Sequence, residues 1–526
     1  MPRINDRPLT FSTYRQALSF HAKTNPERAC LIVDGQPMTW REVGLWAARL
    51  APRLSRRDFS QKAKRAALVI DESTDFFGVY LGLIALGWAP IPVPDRLRAG
   101  SLEALLRDCA PQIVVASPGR AQALQDLYRP ASVLVTSELP DTADRDPLAD
   151  STAADEPSPD DEMTIFYSSG TTGVPKGVLH SHRTLVNAAA NAIQHYCIGE
   201  NERSLVSAPI YTARALAPLL ATVYAGGTSI VLQKFDVTSL LDCVRQHSPH
   251  TIDLVPTQFM MLIEDPRFDP ADFACCRFIL CGGAVLDPRL RDRLFELFPS
   301  NFVHVYGSSE TSLISRLPRR PAPEKRASVG PPRGVEVRIL GEDNEALSCG
   351  ERGEIAVQSP GIFLRYVGHD ASRDVFWLEP GTGKAFYRTG DMGWSDADGY
   401  LWLADRKKDM IITAGFKIYP VDMEAVLNGH PYVREAAVVG RPHAKLGETP
   451  VGFVTLKDRQ YANAATRSQI LRWANGRLNA NQRLLDLRII EVMPNTPSGK
   501  PMKAQLRQMA TESVLPDSSA ATNVPA

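Results

Sequence analysis

The sequence predicts an α/β fold: a large N-terminal body of layered sheets and helices with a small β-barrel, followed by a small α+β domain. Three observations predict it. Strand-like and helix-like segments alternate through roughly the first four hundred residues, the pattern of α/β layers. From about residue 330 the pattern changes to short alternating strands with Gly-rich turns, VEVRIL (335–340) and GEIAVQS (353–359), which suggest the barrel. After LADRKKDMI (403–411) a compact unit reads as a helix (VDMEAVLNGH), a strand (EAAVVGR) and a second helix (SQILRWANGRL).

The 526 residues correspond to three to five domains at roughly 100–200 residues each, or to one large body with an appendage. With 44% hydrophobic and 22% charged residues the composition is that of ordinary globular proteins, and a chain this long needs no disulfide or structural metal to bury its cores. Fifty-nine basic residues balance fifty-nine acidic ones. That balance excludes a protein that holds nucleic acid or an anionic membrane by bulk charge. It leaves open a local phosphate site built from backbone amides and a few cations.

Taken in order, the N-terminus (MPRINDRPLTFSTYRQ) lacks the apolar core of a signal peptide, so a cytoplasmic location is expected. Phe76 to Pro94 is uncharged, but prolines at 90, 92 and 94 leave only residues 76–88 for a helix, too short to cross a bilayer. A buried helix followed by an extended segment is expected there. The eight cysteines contain no C-x-x-C and no His pair stands at zinc spacing, so reduced, mostly buried thiols are expected. Residues 141–162 carry nine acids and one Arg and read as an exposed connection, ending where TIFY (164–167) begins a strand. The tail, 511–526, is small and polar and is expected to be disordered.

The segment YSSGTTGVPKGVLHSH, Tyr167 to His182, carries the most chemistry. A strand enters a loop, and a helix-like segment follows from about Ser181. Gly170, Gly173 and Gly177 let backbone N–H groups turn toward an anion, Ser168, Ser169, Thr171 and Thr172 add hydroxyl donors, and Lys176 adds a point charge. A Walker loop places Gly directly before Lys; here Pro175 precedes Lys176 and Gly177 follows it, which argues against a P-loop kinase or GTPase.

SSGTTGVPKG resembles the signature of the adenylate-forming superfamily: acyl-CoA synthetases, amino-acid adenylation domains and firefly luciferase. The resemblance spans nearly the whole chain, because further motifs follow in the family's order. VYGSSETS (305–312) matches Tyr-Gly-x-Thr-Glu, with Ser309 keeping the hydroxyl of the family's Thr. The resemblance implies that Tyr306 stacks on adenine beside Gly307 and that Glu310 binds magnesium, a hard cation that takes oxygen ligands. LCGGAVL (280–286) places Gly282, Gly283 and Ala284 where the family lines its adenine and acyl sites. YRTGDMG (387–393) implies that Asp391 accepts the ribose hydroxyls. In ADRKKDMIITAGFKIYPVDME (404–424) Arg406 matches an arginine near ribose and phosphate, Lys408 the interdomain hinge, and Gly415 a glycine lining the pantetheine tunnel. Asp405 stands where a Gly is the family's usual residue. PNTPSGKPMK (494–503) presents Lys500, which in the family reaches the acyl carboxylate and the α-phosphate. Thr171, Lys176, Glu310 and Lys500 form the implied catalytic set.

A carboxylate acylates poorly because its leaving group would be oxide. The implied first step is attack of the carboxylate on the α-phosphorus of ATP with loss of magnesium pyrophosphate. The second is attack of a thiol, that of CoA, on the acyl-adenylate. Positioning and charge neutralisation then carry the chemistry, without a protein nucleophile. The resemblance implies a large body (1–405) and a small mobile domain (406–510) that turns about Lys408 to present Lys500 and then Gly415.

The family's acyl-site His in Pro-x-(Phe/Tyr)-His is replaced by Thr212 in Pro209–Thr212. Amino-acid-activating relatives place an Asp near this point, and a buried ammonium without one is costly, so an α-amino acid is disfavoured. Arg214 could meet a second substrate carboxylate or serve structure. LVPTQFMMLI (254–263) suits an acyl tail, an aryl ring or plain core. Basic clusters at 53–65 and 316–326 are solvated faces, or one meets a CoA phosphate. An aryl acid or a short-to-medium fatty acid is the expected substrate. The competing readings are an enzyme loading a carrier protein's phosphopantetheine, a luciferase-type oxidoreductase, and an adenylate binder without catalysis.

Overall fold

The computed structural model describes residues 3–4, 7–8, 11–54, 64–71, 74–94, 97–129, 131–140, 148, 156–168, 176–284, 286–368, 375–496 and 501–512. Most of the acidic stretch and all of 513–526 lie outside the described residues. The chain divides into two compact units. Unit 1 is Met1–Thr389, Gly393–Leu403 and Pro497–Gly499; unit 2 is Gly390–Met392, Ala404–Thr496 and Lys500–Ala526.

Unit 1 is built on two parallel sheets. Ala89–Pro92, Arg65–Val69, Ile113–Ala116 and Ser132–Val135 lie in that order, all parallel. The larger sheet has eight strands, in the order Ser312–Arg316, Phe302–Ser308, Phe278–Cys281, Thr251–Leu254, Arg203–Val206, Thr228–Val231, Ala29–Val33 and Gln36–Thr39. Its six inner strands run parallel, and antiparallel strands close both edges. The inner strands are short Val/Ile/Leu-rich runs (IVVA, TSIV, FILC) buried along their length, as sheets covered on both faces require. The uncharged stretch forms the helix Thr74–Ala85 and then the strand Ala89–Pro92, both inside the core. Among the described residues no helix is long and apolar enough to cross a membrane.

The strands Glu162–Ser168 and Lys176–Ser181 pair antiparallel, and Arg365–Tyr366 joins their free edge. The short strands foreseen as a small barrel form a five-stranded sheet, in which Glu336–Leu340, Gly353–Gln358, Ala385–Ser395 and Phe376–Leu378 are consecutive and Leu401–Arg406 adds to Ala385–Ser395. Among the described residues its ladders run as an open path. Ile339, Ile355, Val357 and Leu401 pack on Tyr306, Ile314 and Val329, so the apolar side of this sheet faces the body.

Unit 2 has its own cores. Phe416–Ile418, Ile411–Thr413, Gly447–Leu456 and Val433–His443 form an antiparallel sheet, with Asp486–Ile489 parallel to Gly447–Leu456. The helices Pro420–Asn428 and Ala464–Asn475 bury Met423, Leu427, Ile470 and Ala474 against one face. The helix Lys503–Glu512 places Leu506 and Ala510 in a second cluster with Val439 and Phe453. All eight cysteines are free: five are buried, Cys275 is half-buried, and Cys197 and Cys349 are exposed. Burial pushes the Cys109 thiol up to about 12 and that of Cys243 to about 11, so these two are structural.

Candidate active site

The carboxyl ends of three parallel strands in unit 1 carry the body's motif residues outside the phosphate loop. Arg203–Val206 leads to Pro209–Thr212, Phe278–Cys281 to Gly282–Ala284, and Phe302–Ser308 to Ser309 and Glu310. Open α/β sheets bind ligands in the crevice outside such ends.

The phosphate loop leaves and returns at adjacent positions, since Lys176 pairs with Ser168 and Gly177 with Tyr167. Gly177 is closely packed there: a Cβ would stand 3.0 Å from the Tyr167 ring. The loop feeds a strand, and the helix His182–Tyr196 begins only at its Ser181 cap. A Walker loop opens directly into a helix, so this is a different cradle. The tip residues Ser169, Gly170, Thr171, Thr172 and Gly173, and the side chain of Ser168, lie outside the described residues.

Glu310 and Lys176 meet at one tyrosine. The Tyr366 hydroxyl donates to Glu310 Oε1 at 2.8 Å and lies 2.9 Å from the Tyr387 hydroxyl, while Lys176 Nζ sits 5.1 Å from the centre of the Tyr366 ring. The backbone of Glu310 is fixed too: its carbonyl accepts from Phe363 N at 2.8 Å, and its N–H donates to Ser308 Oγ at 3.2 Å. Buried His180 donates from Nε2 to the Ser309 carbonyl at 2.8 Å. Its burial holds it down at about 4, so it stays neutral and serves as a fixed prop. The turn is tight at Gly307, where a Cβ would stand 2.1 Å from the Ser312 carbonyl oxygen. Tyr306 is buried in the cluster of Ile314, Val329 and Ile355.

Gly282 admits the neighbouring strand, since a Cβ there would stand 2.6 Å from the Val305 carbonyl oxygen. Thr212, at the position of the family's His, caps the helix Ala213–Tyr224 by accepting from Ala215 N and donates to Pro209 O at 2.7 Å. Arg214 pairs with Asp253, a partner the sequence did not disclose. In the helix Pro256–Glu264, Phe259 and Leu262 join the core and Met261 is exposed.

In unit 2, Arg406 Nε lies 2.6 Å from Asp391 Oδ1, so the two residues assigned to ribose and phosphate adjoin. Asp405 Oδ1 accepts from Arg406 N at 2.7 Å and Oδ2 from Val421 N at 3.0 Å, which ties the strand end to the start of the helix Pro420–Asn428. Lys503 Nζ reaches Glu424 at 3.0 Å and Asp405 at 3.6 Å. The one-turn helix Lys407–Asp409 carries Lys408, and Arg507 pairs with Asp409 at 2.5 Å. Ala414 and Gly415, both at positive φ (48° and 82°), make a two-residue turn between Ile411–Thr413 and Phe416–Ile418. Lys500 lies outside the described residues.

Residues 18–367 match the AMP-binding enzyme family, and residues 422–500 match the AMP-binding enzyme C-terminal domain. The chain belongs to the AMP-binding enzyme family. This AMP-binding enzyme is 30% identical to the feruloyl-CoA synthase of Amycolatopsis sp, over 93% of this chain and 97% of that one. It is 29% identical to the indoleacetate–CoA ligase of Aromatoleum aromaticum, over 93% and 96%. The ATP-bound structure of MatB from Rhodopseudomonas palustris matches with a TM-score of 0.84 at 26% identity, over 96% of this chain and 99% of that one. It is an adenylate-forming enzyme of the carboxylate–CoA ligase type, an AMP-forming acyl-CoA synthetase that uses ATP, Mg2+ and CoA.

The residues of this AMP-binding enzyme fit those ligands. Glu310 offers one half-exposed carboxylate, and magnesium is commonly held by one or two carboxylates together with substrate phosphates. No cluster of three or more His, Cys, Asp or Glu that could hold a metal occurs among the described residues. The motifs disclosed Lys176, Glu310, Asp391 and Arg406. They did not disclose Tyr366, His180, Asp253 or Lys503, whose roles arise from contacts between distant segments. Thr212 did carry a readable signal, because a Thr just before a helix is a cap.

Proposed function

We propose that this enzyme adenylates an aryl acid or a short-to-medium-chain fatty acid and passes the acyl group to the thiol of CoA. The gathering of Lys176 and Glu310 about Tyr366 carries the reading. It brings a cation suited to phosphate and a carboxylate suited to a metal, far apart in sequence and borne by two different sheets, to one tyrosine. The relatives' names, a feruloyl-CoA synthase and an indoleacetate–CoA ligase, support an aryl acid and CoA as acceptor.

In this reading Ser168, Ser169, Gly170, Thr171, Thr172, Gly173, Lys176 and Gly177 cradle the phosphates. Glu310 would hold the magnesium that neutralises them. Tyr306, Gly307, Ser309 and Gly282–Ala284 line the adenine and acyl crevice, and Asp391 takes the ribose hydroxyls with Arg406 beside it. Lys500 stabilises the charge that develops as carboxylate oxygen meets α-phosphorus. Gly415 leaves space for the incoming thiol. Lys500 and Gly415 both belong to unit 2, and the chain turns at Lys408 to use them in succession. A body of 1–405 and a mobile domain that begins at 406 follow from that assignment, in a cytoplasmic enzyme; the helix Lys503–Glu512 runs two residues into the expected tail of 511–526.

An ATP–pyrophosphate exchange screen across benzoate-like, medium-chain and dicarboxylic acids tests the substrate. Exchange with amino acids alone would overturn it. Lys500→Ala is expected to lose exchange yet still convert supplied acyl-adenylate to thioester; equal loss of both halves would sink the division of labour. Comparing free CoA with a phosphopantetheinylated carrier protein decides the acceptor.

A further inference from the structure

Arg214 and Asp253 lie at the carboxyl edge of the large sheet, around the Gly282–Gly283 turn. Arg214 is the second residue of the helix that follows Arg203–Val206, Asp253 lies on Thr251–Leu254, and Gly283 follows Phe278–Cys281. These are three adjacent strands of the parallel sheet. Arg214 Nη2 donates to Asp253 Oδ1 at 2.5 Å and to the Leu254 carbonyl at 3.1 Å. The two side chains are only 20% and 13% exposed. The Nη1 side of the guanidinium faces Gly283: a Cβ on that residue would stand 2.7 Å from Nη1 and 3.4 Å from Nε. Among the described residues, Nη1 and Nε have no hydrogen-bond partner.

We propose that Arg214, neutralised by Asp253 and facing the Gly282–Gly283 turn, is the specificity-determining residue of the acyl crevice. It selects monocarboxylic acids whose body carries a neutral oxygen acceptor: a hydroxyl, an ether or a ketone. The inference rests on the assignment of that turn to the acyl site and deepens it. A guanidinium and the nearly buried carboxylate it pairs with together carry no net charge to attract a second carboxylate. A dicarboxylic acid would place an uncompensated negative charge in a poorly hydrated crevice. An amino acid's ammonium would find Asp253 already taken and a guanidinium in its way. A neutral oxygen meets the Nη1 donor, fixed in direction by the pairing of Nη2, and an alkyl group in its place would leave that donor unpaired.

The test uses isosteric pairs in the exchange assay: 4-methoxybenzoate against 4-ethylbenzoate, and 6-oxoheptanoate against 6-methylheptanoate. Terephthalate and adipate serve as dicarboxylates. The intact enzyme is expected to favour the oxygenated member of at least one pair by about tenfold or more in kcat/KM, and to reject both dicarboxylates. Arg214→Met combined with Asp253→Leu should erase that ratio. Asp253→Asn, which frees the guanidinium's charge, should raise kcat/KM for the dicarboxylates. Absence of the preference in the intact enzyme overturns the inference, whether or not either variant folds. So does its persistence in the double variant, or a preference of the intact enzyme for a dicarboxylate. Exchange without acceptor preference leaves the substrate reading standing; exchange with none of these acids overturns the aryl or short-to-medium-chain substrate reading and the inference with it.

Discussion

Tyr366 touches both ends of the proposed phosphate site, so its hydroxyl is the sharpest single-atom probe of that site. Removing it in Tyr366→Phe takes one donor from Glu310 Oε1 and one contact from the Tyr387 hydroxyl. A hydrogen bond to a charged group contributes about 1.5–3 kcal/mol, so exchange should fall by about tenfold or more, with a raised apparent KM for Mg2+. Titrating Mg2+ in the variant checks this. Glu310 was legible from its motif, but Tyr366 was not, because nothing local marks a tyrosine whose partners lie fifty-six and twenty-one residues away. Asp405 gives a second residue-scale test. Burial, with repulsion from Glu424, raises its carboxyl to about 6, and Lys503 only partly opposes this. Its folded value thus exceeds the unfolded one of 3.8. The stability it contributes is full below about pH 4 and is lost as pH rises through about 6, on the order of 3 kcal/mol in all. Asp405→Asn should therefore gain on the wild type in urea unfolding between pH 4 and 7; a constant difference across that range would contradict the assignment.

At the scale of elements, two glycines in motifs serve different ends. Gly307 sits in the hairpin between Phe302–Ser308 and Ser312–Arg316, with the Ser312 carbonyl in the space a methyl group would need. Backbone cannot yield as a flexible side chain can, so Gly307→Ala should cost a few kcal/mol and disturb Glu310 three residues on. At Gly415 nothing among the described residues stands within 4 Å of the place a methyl group would take, and only a φ of 82° opposes one. There an alanine costs about 1–2 kcal/mol from backbone strain alone. Gly415→Ala should accordingly fold, keep exchange, and slow thioester formation if the thiol passes this turn. Melting curves with separate half-reaction rates distinguish the two glycines. Period and turn residues made the parallel strands and the C-terminal helices legible. The strand between the phosphate loop and its helix was not. KGVLHS has few residues and too little alternation to separate a strand from the start of the helix at His182.

For the whole molecule, overall neutrality means that its response to pH comes from particular buried groups instead of net charge. In unit 1, burial holds His21, His180, His182 and His304 down at about 4, against 6.5 when exposed. Geometry agrees for His182, whose Nδ1 accepts from Tyr14 N at 3.2 Å and therefore carries no proton. For His304, Nδ1 is buried without a hydrogen-bond partner among the described residues, where a charge would be unsupported. A base with a depressed folded value contributes stability that is full above the unfolded value, about pH 6.5. That stability is lost as pH falls, because the unfolded chain takes up protons the folded chain refuses until about pH 4. Each such histidine is worth at most about 3 kcal/mol over the window. Unit 1 should thus melt well below its neutral-pH temperature at pH 5, while Asp405 in unit 2 favours folding in the same direction of change. Calorimetry at pH 5 and 7 should show acidification lowering the transition of unit 1 more than that of unit 2. His180 links this to catalysis, since its ring holds the Ser309 carbonyl next to Glu310. A His180→Gln variant, which can still donate there but cannot gain charge, should lose less stability between pH 7 and 5 than the wild type. An identical loss would show that His180 is not one of the groups that refuse the proton.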